Sequence, residues 1–277
     1  MFNDVRDILG KTPLIAAHRG VCGGNIPCNT VESFDIALHQ GADIVELDVS
    51  RSEDGKMYVF HPGMEPIHLY SASPIKKLHS SEVDRMHYVN MDRTPTQFPV
   101  TRFEEVMEHL RGKCYINVDK FFMYIPELGK IIRDMKMQDQ VIVKTYDTPE
   151  EFKLIEDYAA DMPYMVITRN DNFTDDLLRR KLRYIGTEVL FAEESHPLAQ
   201  KAYVDYMHER KLLVWVNAIV YNYKEVLTAG HNDDISVVGR EDEGWGWLME
   251  RGYDIIQTDW TLAAKLYLDE VGKRIKK

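Results

Sequence analysis

The chain has 277 residues, 44% of them hydrophobic, and sets 34 basic against 45 acidic side chains for a formal net charge of −11. That length and apolar share support a sizeable core in one large domain or two small ones. The acidic balance excludes broad nucleic-acid binding, which needs a basic footprint, but a few placed cations could still serve one phosphate. Three cysteines, Cys22, Cys28 and Cys114, are too few for a disulfide framework. The first residues carry Asp4 and Asp7 and lack the long apolar core of a signal peptide. No apolar run approaches the roughly 18 residues a membrane span needs. The expectation is a cytoplasmic protein with no membrane span.

Taken in chain order, short apolar runs alternate with amphipathic stretches. "PLIAAH" (13–18) predicts a first strand and "TVESFDIALHQ" a helix after it. "DIVELDV" (43–49) is the second strand, followed by "SRSEDGKMYVFHPG", which reads as a hairpin with Asp54-Gly55 as its two-residue turn. Residues from about 50 to 97 lose any clear period and read as an excursion before the helix "RFEEVMEHLR". Strands "CYINVD" (114–119), "QVIVKTY" (140–146) and "PYMVIT" (163–168) come next, with "PEEFKLIEDYA" a helix between the last two. "EVLFAE" (188–193), the helix "PLAQKAYVDYMHER", "LLVWVN" (212–217), the helix "GWGWLMERG" and "DIIQTD" (254–259) complete the series. Eight strands separated by helices predict a TIM (β/α)₈ barrel with a small insertion after strand 2, in a single domain over 1–277. A doubly wound open sheet is the runner-up, weakened because no glycine-rich nucleotide fingerprint follows the first strand.

Barrels of this type work at the C-terminal ends of their strands. Those ends carry His18, Arg19, Glu46, Asp48, Asp119, Lys120, Lys144, Asn217 and Asp259, a polar set for such apolar strands. Glu46 and Asp48 share one face of their strand, and two confined carboxylates repel unless a proton or cation joins them. With Asp119 as a third acid, a hard divalent ion, Mg²⁺ or Ca²⁺, is the natural partner. Continuing the predicted hairpin outward from Glu53 opposite Lys56 sets position 48 against His61. His18 and His61 then flank the acids and suit acid–base work near neutral pH. Arg19 can offer a phosphate two parallel donors, and Lys120 can share that charge.

"HRG" closing the first strand, "NT" opening the first helix, "ADIVELDV", the Asp54-Gly55 turn, "YVFH" and the late "GYDIIQTDW" together resemble the glycerophosphodiester phosphodiesterase family. The likeness is strongest over 14–61 and recurs around 114–120 and 245–260. It implies a TIM barrel with an insertion after the second strand, and His18 and His61 as acid and base. It also implies metal carboxylates Glu46, Asp48 and Asp119, with Arg19 on the phosphate. The implied reaction is metal-dependent hydrolysis of a small-molecule glycerophosphodiester to glycerol phosphate and an alcohol. A neighbouring hydroxyl would attack first, and water would open the cyclic phosphate. The alternatives are a lyase or phospholipase D-like action on choline phospholipids, and a non-catalytic barrel that binds a phosphate ligand. Three positions depart from the family pattern: Cys28 stands where a glutamate is usual, Pro62 where an acid is usual, and Asp119 where the third acid is usually Glu.

Overall fold

The computed structural model describes residues 4–275; the ends of the predicted 1–277 span, residues 1–3 and 276–277, lie outside the described residues. The β-branched runs form strands, as their stiff side chains favour a pleated and buried surface. The strands are β1 (Leu14–Ala17), β2 (Ile44–Arg51), β3 (Met57–Val59), β4 (His87–Val89), β5 (Pro95–Pro99), β6 (Tyr115–Asp119), β7 (Val141–Tyr146), β8 (Tyr164–Thr168), β9 (Tyr184–Val189), β10 (Leu213–Asn217) and β11 (Ile255–Thr258). The helices are α1 (Val31–His39), α2 (Glu65–His68), α3 (Ser80–Val83), α4 (Phe103–Leu110), α5 (Ile125–Asp134), α6 (Pro149–Tyr158), α7 (Thr174–Leu177), α8 (Lys201–Glu209), α9 (Asp233–Val237), α10 (Trp247–Glu250) and α11 (Thr261–Ile275).

Parallel pairing runs β1-β11-β10-β9-β8-β7-β6-β2, and β2 pairs back onto β1, so eight parallel strands close a TIM barrel among the described residues. Its interior has two storeys. Ala16, Ile44, Ile142, Met165, Leu213, Trp215 and Ile255 fill the lower one, and Val5 of the N-terminal turn packs into it from below. Two residues further up, the inward positions of five strands turn polar, at Glu46, Asn117, Lys144, Asn217 and Gln257, while β8 places Ile167 there. The outer faces of the strands pack on the helices in the main core, through residues such as Val45, Leu47, Val118 and Val143. Helix α1 starts where Thr30 Oγ1 accepts from the Ser33 N–H (3.2 Å) and Ser33 Oγ accepts from the Thr30 N–H (3.1 Å), a reciprocal cap that explains the "NT" dipeptide.

Two expectations shift. The sixth parallel strand in chain order lies at Tyr184–Val189, four residues before the predicted 188–193. Gly186 hides it: a Cβ there would sit 2.0 Å from the Leu213 carbonyl oxygen of β10, so close strand approach requires a residue that lowers the strand signal. The hairpin after β2 is also one residue out of the predicted register. Ser52 pairs with Lys56 around a three-residue loop, with Gly55 at φ +84°, and Val49 faces Val59. Asp48 O therefore accepts from the Phe60 N–H (3.0 Å), and His61 lies one residue past the position opposite Asp48. Beyond the hairpin, β4 and β5 pair antiparallel, and Tyr58, Phe60, Ile75, Val83 and Tyr88 make a small core of their own beside the barrel mouth.

Candidate active site at the barrel mouth

The β2–β6 pairing sets Glu46 against Asn117 and Asp48 against Asp119. Oxygens of Glu46, Asp48 and Asp119 lie within 4.8 Å of one another. Glu46 Oε2 accepts from the Arg19 backbone N–H (2.7 Å). Asp48 is held from the other side by Asn29, whose Nδ2 donates to Asp48 Oδ2 (2.8 Å) while its Oδ1 accepts from the Asp48 N–H (3.1 Å). Arg19, Asn29 and Lys120 all have left-handed backbones, at φ +56°, +59° and +62°. Three non-glycine residues so placed around one cluster mark a stretch of chain held against its preference by the surrounding structure.

The cluster does not cancel its own charge. Asp48 Oδ1 is buried and has no hydrogen-bond partner among the described residues. The Lys120 ammonium, hydrogen-bonded to Asp119, lies 3.7 Å from it, and His61 Nε2 is 3.8 Å away. Arg19 Nε comes within 3.0 Å of Asp48 Oδ2 but at no hydrogen-bonding angle. Burial, then the charge of Asp48, pushes the Glu46 carboxyl up to about 7. Burial also works against the Asp119 carboxylate, but the Lys120 ammonium outweighs it and holds Asp119 low. An oxygen-only set, two of its three carboxylates buried, with one bare oxygen and one carboxylate reluctant to ionise fits a hard divalent cation.

The two histidines stand on opposite sides of these acids and differ in their support. His18 Nδ1 hydrogen-bonds Asp259 Oδ1 (2.8 Å). Burial disfavours its charged form, but Asp259 and Glu46 overcome this and raise its pKa. Burial lowers the pKa of His61 despite nearby Asp48, and His61 Nδ1 is buried without a partner among the described residues. Proline at position 62, where the resemblance would put an acid, offers no side-chain acceptor.

All seven residues singled out from the sequence, His18, Arg19, Glu46, Asp48, His61, Asp119 and Lys120, thus gather at one mouth. Lys144, by contrast, is closed off: its Nζ donates to Glu188 Oε2 (2.6 Å) and lies over the Trp215 ring. Sequence reasoning missed the work of Asn29 and of Asp259. Asn29 stood in view inside "NT", and Asp259 was a strand-end acid with no assigned partner. Asp233, also missed, accepts from the Asp259 N–H (2.8 Å), Thr258 Oγ1 and Trp245 Nε1, tying the last strand's end to the start of α9.

Fold and site together define a parallel α/β barrel with two histidines, an arginine and three carboxylates at its strand ends. Most of the proteins it is similar to are named glycerophosphodiester phosphodiesterases, and one, from Bacillus subtilis, is named only as uncharacterized. A protein of that name from Bacillus altitudinis is 53% identical over 47 residues, 17% of this chain and 19% of the relative. One from Caldanaerobacter subterraneus subsp. tengcongensis is 28% identical over 149 residues, 48% of this chain and 58% of the relative. These alignments span less than two thirds of either relative. A glycerophosphoryl diester phosphodiesterase from Parabacteroides distasonis superposes with a TM-score of 0.80 at 17% identity, covering 96% of this chain and 91% of that one. An Oleispira antarctica phosphodiesterase, solved with sn-glycerol-3-phosphate as product, superposes at 0.69 and 15% identity over 96% and 100% of the two chains. A family model described as a domain of unknown function, DUF4996, matches residues 162–268. The Bacillus altitudinis and Caldanaerobacter relatives carry the name of the family the motifs resemble, and the structural neighbours share this chain's TIM-barrel fold. Among the described residues no helix is long and apolar enough to cross a membrane.

Proposed function

We propose that this protein hydrolyses glycerophosphodiesters to glycerol phosphate and an alcohol, with a divalent metal held by Glu46, Asp48 and Asp119. The observation that carries the reading is the bare, buried Asp48 Oδ1 inside a three-carboxylate cluster that two histidines flank. When bound, the metal supplies positive charge to the phosphate oxygens. Arg19, and Lys120 once released from Asp119, add donors to the same phosphate. His61, neutral and without a partner on Nδ1, takes the proton of the glycerol hydroxyl as its oxygen bonds phosphorus. The bond to the leaving alcohol breaks, and that oxygen takes a proton from His18, whose charged form Asp259 supports. Water then reverses the roles: its proton goes to His18, its oxygen bonds phosphorus, and the ring oxygen leaves with the proton from His61.

The 50–97 excursion is, on this reading, a wall of the site within a single 1–277 domain, since it delivers His61. A cytoplasmic setting is part of the same proposal, supported by the three cysteines remaining free thiols. The test is a panel of small glycerophosphodiesters assayed with Mg²⁺, with Ca²⁺ and with EDTA. Release of glycerol phosphate that EDTA abolishes is the expected result. Binding of glycerol phosphate with no turnover by folded protein would replace the enzyme with a phosphate-binding barrel.

A further inference from the structure

His18 takes both of its anchors from one short stretch of chain. Its N–H donates to the Thr258 carbonyl (3.2 Å), and its Nδ1 meets Asp259 Oδ1 (2.8 Å). The Asp259 side chain is 48% exposed, and among the described residues His18 is its hydrogen-bond partner. An exposed carboxylate on a single hydrogen bond keeps its place only as well as its own backbone does. That backbone is held by Asp233. Its Oδ2 accepts from the Asp259 N–H (2.8 Å), and its Oδ1 accepts from Thr258 Oγ1 (2.7 Å) and Trp245 Nε1 (2.8 Å). The Asp233 N–H donates to the Ala218 carbonyl (2.7 Å), and the Ala218 N–H donates to Gln257 O (2.8 Å). The loop 219–232 thus leaves the end of β10 and brings Asp233 back to it, against the end of β11. Three donors converge on two oxygens, so the side chain has to be a carboxylate; an amide would turn an N–H toward at least one of them. Burial works against that charge and pushes the Asp233 carboxyl up to about 6. The surrounding chain is shaped to supply the donors. The π-helical turn Asp242–Gly246 brings Trp245 inward, and it passes so close to α9 that a Cβ at Gly244 would lie 1.9 Å from Ser236 Oγ.

We propose that Asp233 is a positioning residue for His18: it sets the Asp259 peptide so that the Asp259 carboxylate holds Nδ1 and leaves Nε2 for the reacting oxygen. The inference rests on the phosphodiesterase reading for what His18 does, and on the hydrogen bonds alone for how His18 is placed. Asp233 acts through Thr258 and Asp259, so a shift of that backbone reaches His18 at both anchors together. A displacement of about 1 Å at a reacting group can cost about 10²-fold in rate. The bond to Asp259 also decides the tautomer, because the partner of one ring nitrogen fixes which nitrogen carries the proton.

The experiment measures Asp233→Asn on the wild-type and on the Asp259→Ala background, with saturating metal. On wild type it should lower kcat by about ten- to hundredfold and leave KM little changed. On Asp259→Ala it should cost less than about twofold, because the residue it acts through is already gone. Asp233→Ser, smaller and with room for water, carries the same comparison if the amide variant does not fold. Trp245→Phe is the structural control: it removes a donor from Oδ1 and leaves Oδ2 on the Asp259 N–H. It should lower the urea midpoint with kcat unchanged. One readout needs no turnover. The NMR shifts of the His18 ring nitrogens at alkaline pH should place the proton on Nδ1 in wild type and in Trp245→Phe. In Asp259→Ala and in Asp233→Asn the proton should move to Nε2. That pattern with no diester hydrolysed supports the positioning role and fails the phosphodiesterase reading alone. Equal loss of kcat in Trp245→Phe, full additivity of Asp233→Asn with Asp259→Ala, or an unmoved His18 proton in Asp233→Asn overturns the proposal and leaves the activity standing.

Discussion

Two buried clusters of charge face each other across the barrel mouth, and they are built to opposite ends. On the β7–β10 side Lys144 donates to one oxygen of Glu188, Asn217 Nδ2 donates to the other (2.6 Å), and the Trp215 ring lies under the ammonium. Its charges cancel and the Glu188 oxygens are both satisfied. On the β2–β6 side three carboxylates stand against Arg19 and Lys120, and one oxygen of Asp48 is still bare. If those two cations turn toward a phosphate, all three acids are left to share a metal. Burial of charge is common to both clusters, so burial alone does not identify a site. What separates them is the unmet demand for a cation.

That contrast breaks most directly at the histidines, which belong to the unsatisfied side. His18→Ala and His61→Ala should each lower kcat by about 10²–10⁴-fold in steady-state assays with saturating metal. Near wild-type turnover in both would remove them from the chemistry. On the satisfied side Lys144→Met leaves Glu188 buried with Asn217 as its remaining donor. Urea unfolding should then show a loss of about 3–5 kcal/mol, largely recovered in a Lys144→Met/Glu188→Gln double variant. A stable single variant would mean that this pair is not the closed strut its geometry describes. Smaller still is the expected effect of Glu46→Gln, which removes one ligand and some of the mutual repulsion. The metal concentration for half-maximal activity should rise by about tenfold; an unchanged requirement would put the ion elsewhere.

The barrel was legible because each strand alternates between two burial surfaces, and a parallel strand covered on both faces reads as a continuous apolar run. The polar strand ends stood out against those runs, which is why Glu46, Asp48 and Asp119 could be grouped before any geometry was known. Distances across a turn were less legible. Asp54-Gly55 is compatible with a two- or a three-residue loop, and the choice between them moved the register at His61 by one residue. Asn29 and Asp259 were harder again, since their roles depend on contacts spanning 19 and 241 positions in the chain. Local pattern carries no signal for such pairs. Gly186 erased a strand signal for a related reason: its value lies in the Leu213 carbonyl across the pairing, not in its own neighbours.

A third histidine sharpens the comparison because it is paired and stands apart from the carboxylate cluster. His208 Nε2 on α8 meets Asp254 Oδ2 (2.9 Å), which also accepts from the Val214 N–H (2.8 Å). The hydrogen bond to Asp254 outweighs burial and raises the His208 pKa above its ordinary 6.5. A raised histidine favours the folded state while it is protonated. Its contribution is therefore complete below the unfolded value near 6.5 and fades as pH climbs through the higher folded value. Wild type should be more stable than His208→Gln by about 1 kcal/mol or less at acidic pH, and the gap in urea midpoints should narrow above neutrality. The loss should appear in stability alone, with metal-saturated kcat intact, because this carboxylate already has its partners and one oxygen of Asp48 does not. A gap that widened with rising pH would mean His208 is held neutral, with Asp254 serving the β10 backbone instead.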